Sequence, residues 1–275
     1  GHGDIYTALL ASGLLDALLD KGYRYAMTAN SDNLGAAPSA RIAGWFAASG
    51  APYAPEMCRR TPADVKGGHL AVRKSDGRII LRDTAQTPED QMHYFTDQFR
   101  HPFFHTNNLW FDLKVLRDTL ADRGGILGLP LIRNSKTVDP ADSSSTPVIQ
   151  LETAMGAAVE AFEGATAIEV PRSRFLPVKT TNDLLLVRSD VYEVDDDGLL
   201  QMVPDQACTV SLDPRFYKKI QDFEARFPNG VPSIKDAQSL TVEGDWTFGA
   251  DVVATGEAHV EAEGSPGRIA DGTRI

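Results

Sequence analysis

The chain has 275 residues, of which 42% are hydrophobic and 24% charged, a composition typical of a globular protein large enough for more than one domain. Its formal net charge of −11 argues against a nucleic-acid-binding surface, which requires a basic stripe. The sequence has no run of about eighteen apolar residues, so it predicts no membrane-spanning helix. Cys58 and Cys208 lack a metal-ligand spacing, which predicts two reduced thiols and a cytoplasmic protein.

The first predicted element is a helix from residue 4 to residue 20, in which apolar residues recur at helical spacing and Gly22 provides a stop. The entrance to this helix, Gly1-His2-Gly3-Asp4, has two interpretations. The glycines and the exposed N–H groups could admit a ligand, with His2 bonded to a hydroxyl or a phosphate. Alternatively, Asp4 simply caps the helix.

A short strand is predicted from Tyr23 to Ala29, and Asn30, Ser31 and Asp32 follow where that strand should end. Ligands in open α/β sheets bind beyond the carboxyl ends of strands, so a carboxylate at this position can hold a hard cation such as Mg²⁺. An ordinary polar turn is the alternative, because Asn, Asp and Ser are the residues that turns favour.

Helical and extended patterns alternate through the middle of the chain. The expected helices cover residues 36–49, 87–99, 113–123, 152–162 and 216–227, and the expected strands cover 70–72, 78–82, 148–151 and 167–170. Two stretches between them suggest ligand chemistry. Asn107 and Asn108 lie among aromatic residues and could bond sugar hydroxyls, cap the next helix or close a turn. The cationic loop 171–183 contains Lys179, which suits a phosphate partner or is simply solvated.

The composition changes near residues 228–232, which resemble a linker. This change predicts two domains, covering residues 1–232 and 233–275. From Leu240 onward, short apolar pairs recur about every six residues, as in the rungs of a parallel β-helix, with a pair of β-hairpins as the alternative. A solenoid this short leaves an end exposed, so we expect it to pack against another subunit, forming a homo-oligomer, or against the main domain.

Six motifs in sequence order resemble those of the UTP–glucose-1-phosphate uridylyltransferase (UDP-glucose pyrophosphorylase) family. They lie at residues 1–4, 29–35, 63–68, 106–110, 150–153 and 171–179, the last followed by Asp183-Leu-Leu-Leu186. The resemblance implies an α/β fold: a Rossmann-like, GT-A-like mixed sheet of the nucleotidyltransferase type, followed by a small left-handed parallel β-helix. The family's glycine-rich nucleotide loop has no counterpart before Gly1. We therefore expect a C-terminal portion of such an enzyme, with an N-terminally incomplete catalytic domain.

The resemblance also implies a reaction, in which UTP and glucose 1-phosphate form UDP-glucose and pyrophosphate by Mg²⁺-assisted, in-line attack on the α-phosphorus. The implied roles are nucleotide contact for Gly1, sugar or phosphate contact for His2, ribose or sugar contact for Asn30 and Ser31, Mg²⁺ ligation for Asp32, sugar hydroxyl contact for Glu56, hexose binding for Asn107 or Asn108, and charge neutralisation for Lys179. The alternative is a non-catalytic fragment that binds sugar phosphate or mediates oligomerisation. Neither a nucleic-acid nor a membrane partner is expected.

Overall fold

The computed structural model describes residues 1–61, 64–84, 87–140 and 142–275, so Ala63 of the third motif lies outside the described residues. The chain divides into two compact units. Unit 1 contains Gly1–Asn30 and Pro38–Arg172, and unit 2 contains Ser31–Ala37 and Ser173–Ile275. The domain division expected at residue 232 stays a prediction.

Both units contain helices and strands. The α-helices, in chain order, are α1 (Ile5–Ala11), α2 (Leu14–Asp20), α3 (Ala40–Ser49), α4 (Met92–Phe95), α5 (Leu113–Asp122), α6 (Thr181–Arg188), α7 (Pro214–Tyr217) and α8 (Ile220–Arg226). Short 3₁₀ helices cover His2–Asp4, Glu89–Gln91, Met155–Ala161 and Arg172–Arg174. The strands are β1 (Tyr25–Thr28), β2 (Tyr53–Arg59), β3 (His69–Val72), β4 (Ile79–Arg82), β5 (Phe103–Asp112), β6 (Leu131–Thr137), β7 (Pro147–Thr153), β8 (Ile168–Glu169), β9 (Tyr192–Val194), β10 (Leu200–Met202), β11 (Thr209–Leu212), β12 (Ala237–Val242), β13 (Trp246–Phe248), β14 (Gly256–Val260) and β15 (Gly267–Ile269).

A mixed sheet with the strand order β1-β5-β2-β8 forms the centre of unit 1. Strand β5 is antiparallel to both β1 and β2, and β8 pairs with β2 in parallel. Strands β1 and β2 therefore run in the same direction. Antiparallel hairpins are formed by β3 with β4 and by β6 with β7, and the former contains the strands expected at residues 70–72 and 78–82.

Helices cover both faces of this sheet. Side chains of successive strand residues alternate between the faces, and Phe111 and Trp110 accordingly belong to different hydrophobic clusters. The cluster of Phe111 includes residues of α1, α2 and α5. The cluster of Trp110 includes Phe46 of α3. The buried strand residues of unit 1 are thus shielded on both sides.

A single hydrophobic cluster forms the core of unit 2 and runs from Leu185 to Ile269. Strands β11, β12 and β14 pair in parallel, as do β13 and β15. Isolated parallel bridges join Ser233 to Val253 and Val253 to Arg274. Parallel pairing of consecutive short segments is the arrangement of stacked rungs, whereas hairpins would pair antiparallel.

Several sequence expectations need correction. The helix expected over residues 4–20 is two helices, because Gly13 adopts a left-handed φ of 75° between α1 and α2. The helix expected over 36–49 begins at Ala40, where the Ser39 hydroxyl caps it by accepting the Ile42 N–H. The one expected over 87–99 is reduced to a 3₁₀ turn and α4. Residues 103–112, expected to contain a cap or a turn, are the long strand β5.

The structure also bears on the expectations for the two cysteines and for membrane-spanning helices. Cys58 and Cys208 are both buried and free, as predicted. No helix in the described ranges has the length and apolar character needed to cross a membrane.

Candidate functional site

Asn30 and Asn107 of unit 1 are brought together by the register of two strands. Thr28 at the end of β1 lies opposite Leu109 of β5, so the chain that continues past β1 reaches the position of Asn107. Asn107 Nδ2 donates a hydrogen bond of 2.8 Å to Asn30 Oδ1. Asn107 has a left-handed φ of 66°, a conformation that asparagine tolerates better than most residues. Both side chains are partly exposed, so this amide pair is accessible to a ligand.

His105 holds the backbone of Asn107 and was not identified from the sequence. Its Nδ1 accepts the Asn107 N–H at 3.1 Å, which places the proton of the neutral ring on Nε2. Burial lowers the pKa of His105 to about 4, so the ring is neutral at pH 7. Its Nε2 is buried without a hydrogen-bond partner among the described residues. The only sequence signal for this role was the position of His105 two residues before Asn107.

Glu56 is the centre of a buried hydrogen-bond network rather than an exposed ligand contact. It is fully buried, as is Asn108. Glu56 Oε2 accepts from Asn108 Nδ2 at 3.0 Å, and Oε1 accepts from Trp110 Nε1 at 2.9 Å. Of the two asparagines that sequence reasoning could not separate, Asn108 is therefore committed to the interior and Asn107 faces outward.

Gly1 and His2 contact the strand β7 and the residues that follow it. An ideal Cβ on Gly1 would lie 2.3 Å from Glu152 Cβ, so the close approach that requires glycine here is to the protein itself. His2 is exposed, and its Nδ1 accepts the Met155 N–H at 3.0 Å. This bond fixes the ring orientation and leaves Nε2 as the nitrogen available to another partner.

In unit 2, residues 31–37 lie along residues 173–178 and are hydrogen-bonded to them. The Val178 N–H donates to Asp32 O at 2.8 Å, and the Leu34 N–H donates to Leu176 O at 3.0 Å. Asn33, which is 6% exposed, strengthens the pairing, since its Oδ1 accepts the Leu176 N–H at 2.8 Å. Asn33 Nδ2 also donates to the carbonyl of Arg174 at 3.1 Å.

Gly35 allows this pairing to be so close. An ideal Cβ at this position would lie 2.4 Å from Ser173 O and 2.7 Å from the carbonyl carbon of Arg174. Backbone atoms cannot move aside as the end of a flexible side chain can. Asn33 and Gly35 of the second motif therefore form the junction between residues 31–37 and the cationic loop 171–183. The sequence did not predict this role.

Asp32 carries an unsatisfied buried oxygen. Its Oδ1 is buried and has no hydrogen-bond partner among the described residues. A buried carboxylate oxygen without a donor is costly unless a cation or a ligand satisfies it. The described residues contain no group of three or more His, Cys, Asp or Glu side chains that could hold a metal ion. A lone carboxylate can still ligate a cation such as Mg²⁺, which proteins bind through one or two carboxylates together with water and phosphate oxygens.

Lys179 follows Val178 directly, one residue beyond the hydrogen bond to the Asp32 backbone. Its side chain is exposed, and it forms no ion pair with the residues whose structure is described. The Asp183 carboxylate accepts the N–H groups of Lys179 and Thr180 at 2.9 and 2.8 Å. The start of α6 thus fixes the backbone at Lys179 and leaves its ammonium group free for a phosphate. Ser31 is likewise exposed.

Comparison with known families and proteins agrees with the sequence motifs. Residues 1–254 match the family described as UTP–glucose-1-phosphate uridylyltransferase. Curated relatives with that name include the potato protein (Solanum tuberosum), 41% identical over the whole chain and 56% of its own length, and the Saccharomyces cerevisiae protein, 39% identical over 93% of the chain and 50% of its own length. The chain thus spans about half the length of these relatives.

Solved structures give the same result. A Leishmania major UDP-glucose pyrophosphorylase variant in complex with UDP-glucose is 46% identical, with a TM-score of 0.85 over the whole chain and 60% of its own. A Trypanosoma brucei enzyme described as UDP-glucose phosphorylase is 43% identical, with a TM-score of 0.84, over the whole chain and 61% of its own. This protein, a mixed α/β chain with the fold of those structures, therefore belongs to the UTP–glucose-1-phosphate uridylyltransferase family.

Proposed function

We propose that this chain supplies the sugar-phosphate and metal-binding residues of an enzyme that forms UDP-glucose and pyrophosphate from UTP and glucose 1-phosphate. The observation that carries the proposal is the backbone pairing of residues 31–35 with 174–178, which ties Asp32 to the segment of Lys179. Family membership and the UDP-glucose complex of a 46% identical relative support the substrates.

Asp32 is proposed to bind Mg²⁺ through its unpartnered Oδ1. A bound Mg²⁺ would offset negative charge on the phosphate groups. A single protein carboxylate suffices for this purpose, because phosphate oxygens and water complete the coordination of the ion. Replacing Asp32 by Asn removes the charge, and it costs no hydrogen bond that the described residues make to Oδ1.

Lys179 is proposed to neutralise the triphosphate and the departing pyrophosphate. The lysine ammonium group has a flexible side chain, so it can stay close to the negative charge that develops on the pyrophosphate as the bond breaks. No ion pair with the described residues holds the ammonium group elsewhere. The attacking phosphate oxygen is already anionic, so the reaction needs positioning and charge stabilisation more than a general base. By analogy with other preorganised charge stabilisers, losing Lys179 or Asp32 should slow turnover by about 10²- to 10³-fold.

The amide pair of unit 1 is proposed to bind the hexose. Asn107 is assigned this contact in preference to Asn108, because Asn108 is buried against Glu56. Asn30 supports Asn107 through their 2.8 Å hydrogen bond and contacts ribose or sugar together with Ser31. His2 offers Nε2 to the sugar or its phosphate, and Gly1 is proposed to lie against the nucleotide. Glu56 then acts through Asn108 and the strand rather than on the sugar hydroxyls.

We also propose a more detailed fold, an oligomer contact and a cellular location for this chain. The parallel pairing of β12 with β14 and of β13 with β15 supports a parallel β-helix over residues 233–275, which is proposed to be left-handed and to follow a GT-A-like nucleotidyltransferase domain over 1–232. The last rung is proposed as a homo-oligomer contact. Two free cysteines support a cytoplasmic location.

Pyrophosphate release from UTP and glucose 1-phosphate tests the reaction, and calorimetric titration with glucose 1-phosphate tests binding separately. Asn107→Ala should weaken glucose 1-phosphate binding about tenfold, whereas Lys179→Ala should reduce turnover. Asp32→Asn should abolish the Mg²⁺ dependence without destabilising the fold. Unchanged turnover of the Asp32→Asn variant would refute the metal role. Retained binding without any turnover would favour the non-catalytic alternative.

A further inference from the structure

A cavity of about 370 Å³ lies in unit 1, and none of the residues that line it was assigned a role above. Its apolar wall is formed by Met57, Leu70, Pro102, Phe103 and Ile168. His69 and His101 also line it, together with Arg100 and Glu169. An apolar wall with a few polar groups is the usual composition of a small-molecule site, and this volume is at the small end of the range for such sites.

The two histidines of this cavity form a stacked pair. Their ring centroids are 3.7 Å apart with an interplanar angle of 14°, and His69 also packs against Phe95. His69 is 1% exposed, whereas His101 is half-buried. Among the described residues, no second ring contacts His101, and His101 lines the cavity, where its imidazole offers a ring for a planar partner to stack on.

A buried donor in this pair lacks an acceptor. Arg60 Nη2 lies 3.4 Å from His69 Nδ1 within hydrogen-bonding geometry, and a guanidinium can only donate. His69 Nδ1 is therefore the acceptor, and the ring proton lies on Nε2. Within the described ranges, His69 Nε2 and Arg60 Nε are both buried without a partner. Two unsatisfied donors in one cluster favour an acceptor that the protein itself does not supply.

The charge around the histidine pair is positive in a chain that is acidic overall. Arg60, Arg82 and Arg100 each contribute to the lowered pKa of His101, after the larger effect of burial and against a smaller opposing effect of Asp97. Burial, His101, Arg60 and Arg82 together lower the pKa of His69 to about 3. The one carboxylate among the lining residues, Glu169, is engaged by Arg59 at 3.0 Å.

We propose that this cavity binds a small planar anion of the aromatic carboxylate class, with its ring stacked on His101 and its carboxylate directed towards Arg100 and the unsatisfied Nε2 of His69. The imidazole of His101 in the cavity lining accounts for the planar body, and the apolar wall accounts for a ring rather than a sugar. A carboxylate matches the guanidinium in shape and charge. A bare phosphate would satisfy the donors but would leave the apolar wall without a partner.

The test is calorimetric and ligand-observed NMR titration of the full 275-residue chain with four probes. Benzoate represents the class, cyclohexanecarboxylate keeps the charge without the planar ring, benzamide keeps the ring without the charge, and inorganic phosphate keeps only the charge. Benzoate should bind with a Kd on the order of a millimolar, as expected for so small a ligand, and at least tenfold more tightly than the others. Equal affinity for benzoate and cyclohexanecarboxylate, or tighter binding of phosphate, would overturn the proposal.

Substitutions at the rim locate the binding and leave the buried His69 itself in the sequence. His101→Leu removes the stacking face and should weaken benzoate binding about tenfold, whereas His101→Phe keeps a ring and should retain most of the affinity. Arg100→Gln should weaken it several-fold. Arg41→Gln, which removes an exposed arginine from α3, is the matched control and should leave it unchanged. Equal effects of the two arginine substitutions, or no effect of His101→Leu, would refute the site.

Discussion

Replacing Glu56 by Gln separates its structural role from the sugar contact that the family resemblance implied. The side chain keeps its shape, but a carboxylate with two acceptor oxygens becomes an amide with one acceptor and two donors. In the folded chain, the Glu56 oxygens accept from Asn108 Nδ2 at 3.0 Å and from Trp110 Nε1 at 2.9 Å. Whichever way the new amide turns, one of these two N–H groups must face another donor.

The expected cost follows from the burial of this network. Glu56 and Asn108 are fully buried, and Trp110 is 4% exposed, so water cannot replace the lost acceptor. A buried donor left without a partner costs about 1 to 3 kcal/mol. We therefore expect Glu56→Gln to lower the free energy of unfolding of unit 1 by about 2 kcal/mol. For a chain of this size, that corresponds to a fall in Tm of roughly 4 to 8 °C.

Glu169→Gln is the matched control, because Glu169 and its partner Arg59 are both exposed, by 53% and 70%. An exposed pair of this kind contributes about 0 to 1 kcal/mol. Urea unfolding followed by tryptophan fluorescence measures both variants, since Trp45 and Trp110 report on unit 1. Equal shifts for the two variants would contradict the network. Weakened glucose 1-phosphate binding at unchanged stability would instead support the direct sugar contact.

Further predictions concern the junction of unit 2 and the response to acid. Gly35→Ala should destabilise unit 2 by several kcal/mol and slow turnover, because the new Cβ meets backbone, whereas Gly44→Ala in α3, with nothing within 4 Å, should stabilise by about 0.5 to 1 kcal/mol. A stable Gly35→Ala protein with normal turnover would refute the close pairing. The pKa values of His69 and His105, about 3 and 4, lie below the ordinary 6.5, so the unfolded chain binds more protons between pH 4 and 6.5. The free energy of unfolding should therefore fall by roughly 2 kcal/mol per histidine from pH 6.5 to 4.5, as measured by urea titration, and His105→Asn should remove about half of that dependence.

Local sequence signals correctly predicted the elements whose own residues supply both the helix cap and the apolar face. The apolar spacing of α5 gave its correct bounds within a residue, and Asp112 caps it by accepting the N–H groups of Lys114 and Val115. In contrast, residues 87–99 have a proline and acidic residues suited to a helix start, but Phe95 is their only buried member among those described. A helix without an apolar face to bury gains little from tertiary packing, so capping signals alone were insufficient.

Strand β5 was missed because its polar residues are typical of turns. Thr106, Asn107 and Asn108 lie within it, yet Thr106 is 1% exposed and Asn108 is fully buried. Their polar groups are satisfied by partners distant in sequence, such as the Glu56 carbonyl, which accepts the Thr106 hydroxyl at 2.8 Å. A central strand between β1 and β2 can tolerate such residues, but only the pairing of all three strands reveals it.

The second motif was interpreted from the sequence as the end of strand β1, and on that basis Asp32 belongs to the edge of the sheet. The structure instead assigns Ser31–Ala37 to unit 2, where Asn33 and Gly35 fix it against residues 173–178. The position of the Asp32 carboxylate therefore depends on the segment that carries Lys179. Because one backbone junction sets both groups, a change in that junction alters the proposed metal ligand and the proposed cation together. This shared dependence gives a physical reason for the motif to contain an asparagine and a glycine that pack against the chain's own backbone.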